Sequence, residues 1–278
     1  CYEQALPIFR ALGDRYGEGL TLTNLGNVYL QQGRWGEAVE KYQEALPIFR
    51  DLGDRRGEGQ TLTNLGLVYA DQGRWEEAVA CYEQALPIFR ALGDRYGEGL
   101  TLTNLGNVYL QQGRREEALE ALREARRRLE EVGDAPNLVI CFRLLAAVHQ
   151  ARGEGGEAVS ALAAALGLAL QVHPKPAAET LDEIVKAARE WGEQGEWPAV
   201  RALGAGVFQM VEEMSRRGVI REEMAPWAAL AAGLSLAIVG AAARRLGEEV
   251  DPAGLRDLAR GIDQATGERW RLEEWVGG

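Results

Sequence analysis

Cysteine and histidine are scarce in this sequence of 278 residues, which contains three cysteines and two histidines. The cysteines, Cys1, Cys81 and Cys141, form neither a CxxC motif nor a ladder of pairs, which favours free thiols in a reducing cytosol over disulfides. Neither His149 nor His173 has a cysteine or a carboxylate at the spacing of a metal site. We therefore expect a cytoplasmic protein that holds no metal.

The sequence also lacks a basic stripe. Acidic residues outnumber basic ones by 42 to 31, which gives a net charge of −11 and argues against nucleic acid as a partner. There is no initiating methionine, signal peptide or targeting motif. The chain opens with Cys1–Leu12, which matches the second half of a repeat described below, and we expect it to be a fragment of a longer protein.

No arrangement typical of an enzyme is present. The segments GDRYGEG and GDRRGEG have the spacing G-x3-G-x-G, which is neither the dinucleotide fingerprint nor a P-loop. A connector explains them better, with glycine permitting close packing and aspartate capping the next helix. There is no nucleophile elbow, and we assign the many EE pairs to solvated helix faces. We expect no catalytic activity and no cofactor.

What the sequence does contain is a repeat with a period of 40 residues, and residues 1–34 and 81–114 match without a mismatch. Within the copy that begins at Thr61, Leu62, Leu65 and Tyr69 recur at the spacing of one helix face. A second helical pattern follows Gly73. Each unit is thus a helix A, a turn and a helix B, and such units must stack to bury their apolar faces. The pattern predicts repeats at 15–52, 55–92 and 95–132.

The order of small and large residues in this unit resembles the signature of the tetratricopeptide repeat. The matching residues are Leu65, Gly66, Tyr69, Trp75, Ala78, Tyr82 and Ala85. Leu62 replaces the first aromatic residue of the signature, and Arg90 replaces its closing proline. Units longer than the usual repeat of about 34 residues resemble those of kinesin light chains and of bacterial signalling proteins. The resemblance implies an all-α, right-handed superhelical solenoid of helix-turn-helix repeats, with a C-terminal helical cap.

The rest of the chain is less regular. We divide it into a near-identical array at 1–133, a degenerate repeat at 134–172, and divergent repeat and capping helices at 173–278. The HPKP segment at 173–176 predicts an interruption. The helices expected after it are 180–194, 197–217, 221–247 and 252–267, followed by a short tail.

Residues 225–243 contain no charged side chain and approach the length of a membrane span. Pro226, Gly233 and Gly240 dilute their apolar character. We favour a buried capping helix over a tether to the membrane.

The resemblance implies that the A helices line a concave groove, and one strip of residues, all polar except Leu67, faces it in that register. The strip comprises Thr23, Asn24, Asn27, Gln31, Thr63, Asn64, Leu67, Asp71, Thr103, Asn104, Asn107 and Gln111. A carboxamide can both donate to and accept from a peptide backbone. The ladder Asn24, Asn64 and Asn104 resembles asparagines that clamp extended peptides in related repeat proteins. The alternative is that these asparagines bond across to the neighbouring repeat and fix the stacking.

We expect the chain to recognise a protein or peptide in this groove without catalysis. Its repeat style resembles the sensor arrays of bacterial STAND-class signalling NTPases and of caspase-like CHAT proteases. The alternative is a structural spacer or a self-assembly element. Ala5, Leu6 and Phe9 of the segment 1–12 form an apolar patch with no preceding repeat to cover them, which predicts association end to end.

Overall fold

The computed structural model describes residues 1–277, and all regular structure in this range is helical. Fourteen α-helices follow one another in the described chain, together with a 3₁₀ helix at Glu222–Met224. Their bounds are α1 Tyr2–Leu12, α2 Arg15–Gln31, α3 Trp35–Leu52, α4 Arg55–Asp71, α5 Trp75–Leu92, α6 Arg95–Gln111, α7 Arg115–Val132, α8 Ala135–Ala151, α9 Gly155–Val172, α10 Pro174–Glu193, α11 Trp197–Arg216, α12 Ala225–Arg245, α13 Pro252–Thr266 and α14 Leu272–Gly277. The all-α repeat fold predicted from the sequence is confirmed.

The chain forms two compact units, Cys1–Asp134 and a second one that begins at Ala135. The first unit holds α1 and the three regular hairpins α2–α3, α4–α5 and α6–α7, whose bounds coincide with the predicted repeats. Helices α1, α3 and α5 continue through Pro7, Pro47 and Pro87. Each B helix of this unit ends at a glycine in the left-handed conformation, for example Gly93 with a φ of 65°, which closes the helix with little strain.

Helix A packs against helix B through a glycine in each regular hairpin. The ring of Tyr82 lies so close to Gly66 that a Cβ atom there would stand 2.6 Å from the ring carbon Cε1. Tyr42 fills the same position against Gly26, and both tyrosine side chains are fully buried. The small residue of the signature is therefore needed for the large one to enter the core.

A second contact between an aromatic ring and a glycine joins each repeat to the next one. Phe89 of α5 packs on Gly97 at the start of α6, where a Cβ atom would lie 2.4 Å from the ring. The carboxylate of Asp94 accepts a hydrogen bond of 3.0 Å from the Gly97 backbone amide and so caps α6. The junction between α3 and α4 uses Phe49 and Gly57 in the same way. The connector interpretation of the GDRxGEG segments is thus confirmed.

The pattern of the sequence does not reveal one feature of these connectors. The glutamates of the GEG segments, Glu18, Glu58 and Glu98, are buried. Glu98 accepts from Arg90 of the preceding helix at 2.9 Å and also pairs with Arg128 at 2.8 Å. A carboxylate in the first turn of a helix is favoured by the helix dipole, and the arginine from the previous repeat makes its burial tolerable.

The second unit departs from the predicted bounds at three places. The helix predicted at 221–247 begins at Ala225 and is preceded by the 3₁₀ helix. Helix α10 begins at Pro174, inside the segment expected to interrupt the chain, because proline lacks the amide hydrogen that the first turn of a helix leaves unbonded. The Nδ1 atom of His173 accepts from the Lys175 amide at 3.2 Å and caps this helix. The predicted tail contains the short helix α14.

Helix α12 covers the uncharged stretch at 225–243 and packs against α11 and α13. A Cβ atom at Gly204 of α11 would lie 2.8 Å from the Ser235 carbonyl oxygen, so the two helices approach closely. By length and composition alone, Gly155–Val172 and Glu222–Arg245 are each long and apolar enough to cross a membrane. In each of them, 44% of the apolar 18-residue stretch is buried within the protein.

Candidate functional site

The A helices of the first unit border a cavity of about 310 Å³. It lies against α2, α4 and α6 and against the α5–α6 connector. Its lining residues are Leu20, Thr23, Asn24, Asn27, Gln60, Thr63, Asn64, Phe89, Asp94, Tyr96, Gly97, Leu100 and Thr101. Three consecutive repeats therefore contribute to one concave site.

The structure brings part of the predicted strip into this cavity. Its members in the lining are Thr23, Asn24, Asn27, Thr63 and Asn64. The remaining predicted positions lie outside the lining: Asn104 and Asn107 are half-buried, Thr103 is buried, and Gln31, Asp71 and Gln111 are exposed. That these side chains bind a partner stays a prediction.

The asparagines differ in their hydrogen bonding. Oδ1 of Asn27 accepts from the Tyr42 hydroxyl at 2.6 Å and from Nδ2 of Asn64 in the next repeat at 3.2 Å. Within the described chain, the carboxamides of Asn24 and Asn104 have no such partner. Asn64 therefore bridges two repeats, whereas Asn24 and Asn104 remain available for other contacts.

The threonines are less available than the asparagines. The hydroxyl of Thr63 donates to the Gly59 carbonyl oxygen at 3.0 Å and lies 2.9 Å from the Thr101 hydroxyl of the following repeat. Thr103 bonds to Gly99 of its own helix in the same manner. These hydroxyls satisfy helix and repeat contacts, so they present mainly their methyl groups and Cβ atoms.

The middle repeat breaks the polar pairing seen in the first. Leu67 occupies the position of Asn27 and Asn107, and the buried hydroxyl of Tyr82 is left without a hydrogen-bond partner among the described residues. In the third repeat the tyrosine itself is replaced by Leu122. An unsatisfied buried hydroxyl destabilises a fold.

Sequence reasoning missed the apolar wall of the cavity. Leu20, Gln60 and Leu100 stand one helical turn before the threonines and asparagines of the strip, and Tyr96 stands another turn earlier. Leu20 and Tyr96 are exposed, although they are large and apolar or aromatic. The 40-residue period combined with a four-residue step along the same helix face would have found them.

Three charged groups lie in or near this strip of the A helices: Arg56, Asp71 and Asp94. Arg56 pairs with the capping carboxylate of Asp94 at 2.9 Å. Asp71, at the end of α4, forms no ion pair with any described residue. The surrounding protein removes enough water from its carboxyl group to raise the pKa above the ordinary value for aspartate.

A smaller cavity of about 240 Å³ lies in the second unit between α8 and α10. Leu144 and Ala147 line it at positions equivalent to Asn104 and Asn107. Arg143 at its edge pairs with Glu179 and Glu183, each at 2.7 Å. The carboxamide strip therefore ends before this repeat.

The described residues contain no cluster of three or more histidine, cysteine or acidic side chains that could hold a metal ion. His149 is buried, and its Nδ1 atom lies 2.6 Å from Oε2 of Glu154. Hydrogen bonds to the Glu154 carboxylate lower its pKa to about 2; the larger effect comes from Arg152 and the smaller one from His149.

The family model described as tetratricopeptide repeat matches residues 1–51, 57–131 and 98–171, which together span more than half of the chain. The chain belongs to the tetratricopeptide repeat family. The resemblance stated from the sequence is thereby confirmed, and the repeats place this chain among protein-interaction modules. No curated protein matches it in sequence.

Solved tetratricopeptide-like structures share the fold at low sequence identity. BtubC from P. vanneervenii is 17% identical with a TM-score of 0.59, over 90% of this chain and 92% of that one. A kinesin light chain from Podospora anserina with nearly identical repeats is 19% identical with a TM-score of 0.53, over 90% and 96%. A STAND protein with a tetratricopeptide repeat sensor, from Pyrococcus horikoshii, is 15% identical with a TM-score of 0.55, and the match covers 95% of this chain but 36% of that one.

Proposed function

We propose that this tetratricopeptide array is a non-catalytic recognition module that binds an extended peptide segment in the groove formed by α2, α4 and α6. The observation that carries the proposal is the cavity of about 310 Å³ to which three consecutive A helices contribute. Pockets that combine apolar walls with a few placed polar groups are typical binding sites.

The polar groups along the A helices fit a peptide backbone. Asn24 lines the cavity, and Asn104 lies on the same strip outside the lining. Their carboxamides, which lack partners in the described chain, offer donors and acceptors at the spacing of the repeats. The exposed side chains of Leu20 and Tyr96 and the half-buried Leu100 provide an apolar surface beside Asn24 and in the repeat of Asn104. Polar groups fix a backbone while such a surface accepts side chains.

The wider role is part of the same proposal. We infer that the array serves as the sensor or scaffold of a larger cytoplasmic signalling protein of bacterial type. The style of its repeats and the fold shared with a STAND protein that carries a tetratricopeptide repeat sensor support this role. Binding in the groove would then bias a switch elsewhere in the parent protein.

Self-assembly is the second candidate, and the outer face of α1 favours it. Ile8 is 58% exposed, whereas its equivalent Ile48 is 3% exposed. Tyr2 is 43% exposed, whereas its equivalent Tyr42 is fully buried. No helix of the described chain covers this face in the way that α2 covers α3.

The test is a comparison of N24A/N104A with a control, using a fluorescent pool of eight-residue peptides of random uncharged sequence. Each lost hydrogen bond should weaken binding by about 0.5–1.5 kcal/mol. The melting temperature should not change, because neither carboxamide bonds within the described chain. Gln84→Ala on α5 is the control, since Gln84 is an exposed carboxamide outside the cavity that bonds only to its own helix.

Asn64→Ala tests the stacking role of the ladder. Because Asn64 donates to Asn27 in the neighbouring repeat, its loss should lower the melting temperature, which N24A/N104A should leave unchanged. If N24A/N104A and Q84A bind the pool as tightly as the unmodified protein, the asparagines are not the binding groups and the proposal fails.

A further inference from the structure

Helices α2 and α6 are identical in sequence, and α4 differs from them at five of its 17 positions. The residues of α4 at these positions are Arg56, Gln60, Leu67, Ala70 and Asp71. Gln60 lines the cavity, Leu67 and Asp71 belong to the strip, and Arg56 and Ala70 lie one helical turn from a member of this row. The middle repeat therefore keeps the family core and changes the face that a ligand would meet.

Asp71 stands where an acid is unfavourable for the fold. It is the last residue of α4, whose last turn contains no basic residue, and the negative end of the helix dipole repels a carboxylate there. The equivalent residues Gln31 and Gln111 are neutral. No described cation lies within ion-pair distance of Asp71, and its carboxyl group is partly desolvated. Nothing within the described chain compensates for this charge.

Leu67 is one helical turn before Asp71 on the same face of α4, and it also lowers the stability of the fold. It replaces the asparagine that accepts from Tyr42 in the first repeat, which leaves the Tyr82 hydroxyl unsatisfied. Leu67 is half-buried, so part of its side chain remains accessible. Two neighbouring substitutions thus lower stability at one place on the groove.

We propose that Leu67 and Asp71 form a subsite for a basic side chain, lysine or arginine, of the peptide bound in the groove. This inference rests on the proposed function. The aliphatic stem of the side chain lies along Leu67, and its charged head pairs with the carboxylate of Asp71. Long basic side chains bury their stems on apolar surface while the head group stays at a polar one.

The charges around the site are consistent with a cationic ligand group. Arg56, the basic residue among the five changed positions, is at the opposite end of α4 and is already paired with Asp94. Arg74, just beyond α4, pairs with Glu77 at 2.8 Å and lies over the ring of Tyr69. Asp71 therefore keeps an uncompensated negative charge, and the net charge of −11 adds attraction at longer range.

The chain supplies its own matched variant, L67N/D71Q, which gives α4 the residues of α2 and α6 at these two positions. The probes are two fluorescent pools of eight-residue peptides, one with a central lysine and one with a central norleucine, in the same random uncharged background. Norleucine keeps the aliphatic stem and lacks the charge.

The unmodified protein should bind the lysine pool about two- to fivefold more tightly than the norleucine pool, as expected for an exposed ion pair. L67N/D71Q should bind both pools equally. Its melting temperature should rise by about 2–4 °C, because the asparagine provides an acceptor for Tyr82 and the helix end loses its unfavourable charge. If L67N/D71Q is more stable and no longer prefers the lysine pool, misfolding is excluded as the cause of the lost preference.

The outcomes separate this inference from the proposed function. If both pools bind equally to the unmodified protein, the groove binds peptides but the basic subsite does not exist. If the lysine preference persists in L67N/D71Q, the subsite lies elsewhere. If neither pool binds, both the groove function and the subsite are overturned.

Discussion

The hydroxyl group of Tyr42 donates a hydrogen bond of 2.6 Å to Oδ1 of Asn27. The equivalent hydroxyl of Tyr82 faces a repeat in which the asparagine has become Leu67, and it has no partner among the described residues. Two tyrosines with the same burial and the same packing against a glycine thus differ in one hydrogen bond. The pair isolates the energetic value of that bond within a single chain.

Replacing these tyrosines by phenylalanine should therefore have opposite consequences. Tyr42→Phe should lower the free energy of unfolding by about 0.5–1.5 kcal/mol, because a satisfied hydrogen bond is lost. Tyr82→Phe should leave it unchanged or raise it, because an unsatisfied buried hydroxyl is removed. Urea denaturation followed by circular dichroism measures both values. Equal losses in the two variants would show that the Tyr82 hydroxyl is bonded in solution.

The close approach of Gly66 to Tyr82 predicts a large effect of a single methyl group. Gly66→Ala should destabilise the protein by about 1–3 kcal/mol, because the added Cβ atom would lie 2.6 Å from the buried ring. Gly36→Ala is the control, since a Cβ atom added at Gly36 of α3 would have no atom within 4 Å beyond its chain neighbours and the backbone of its own helix. Alanine is the better helix former there and should add up to about 1 kcal/mol. Thermal unfolding of both variants checks the prediction, which fails if G66A is as stable as G36A.

The buried Glu18 predicts a loss of stability in acid. The hydrogen bond from Arg10, with a further contribution from Arg15, lowers the pKa of this carboxyl group below the ordinary value of 4.5. A lowered pKa means that the ionised form stabilises the fold above about pH 4.5 and that this stabilisation is lost as the pH falls below it. Glu18→Gln should therefore be less stable than the unmodified protein at pH 7.

The difference in melting temperature between the unmodified protein and Glu18→Gln should shrink steadily between about pH 4.5 and pH 3. Glu40→Gln is the control, because Glu40 is exposed and has no ion pair in the described chain. A difference for E18Q that stays constant down to pH 3 would contradict the assignment.

The exposed face of α1 is the surface through which we expect self-association. The residues exposed on it in the structure differ from those expected from the sequence. Leu6 and Phe9 are half-buried, and Leu6 packs on the cluster around Leu22, so the patch consists mainly of Tyr2 and Ile8. Ile8→Glu should reduce association of the chain in sedimentation velocity experiments over a range of concentrations. Leu52→Glu, at an exposed leucine outside this face, should leave it unchanged. Equal effects of the two substitutions would place the contact elsewhere.

The regular half of the fold could be predicted from the sequence because the same helical pattern occurs in three consecutive repeats. Each hairpin carries the same glycine at its turn and the same aspartate at its cap, so helix bounds such as Arg55–Asp71 follow from the period. The start of α10 could not be predicted in this way. Pro174 is equally typical of a loop and of a first helical turn, and the choice depends on what the helix packs against.

The candidate site was only partly predictable. The asparagines could be placed on one strip from the helical period, but their partners depend on contacts between repeats, such as Asn64 with Asn27. The burial of Glu98 was missed because its arginines come from three different helices. Comparing positions 67 and 82 between copies would have revealed the unsatisfied tyrosine, since the change at Leu67 is visible in the sequence.

The junctions between consecutive repeats use equivalent residues, so one junction can replace another. Deletion of residues 15–54 would place Phe9 and Arg10 before Gly57 and Glu58, which are the neighbours that Phe49 and Arg50 contact now. Unequal exchange between copies within the gene can therefore add or remove a unit of forty residues without any new interface having to evolve. The number of repeats, and with it the length of peptide that the groove could hold, is consequently free to drift through the history of the gene while each hairpin stays the same.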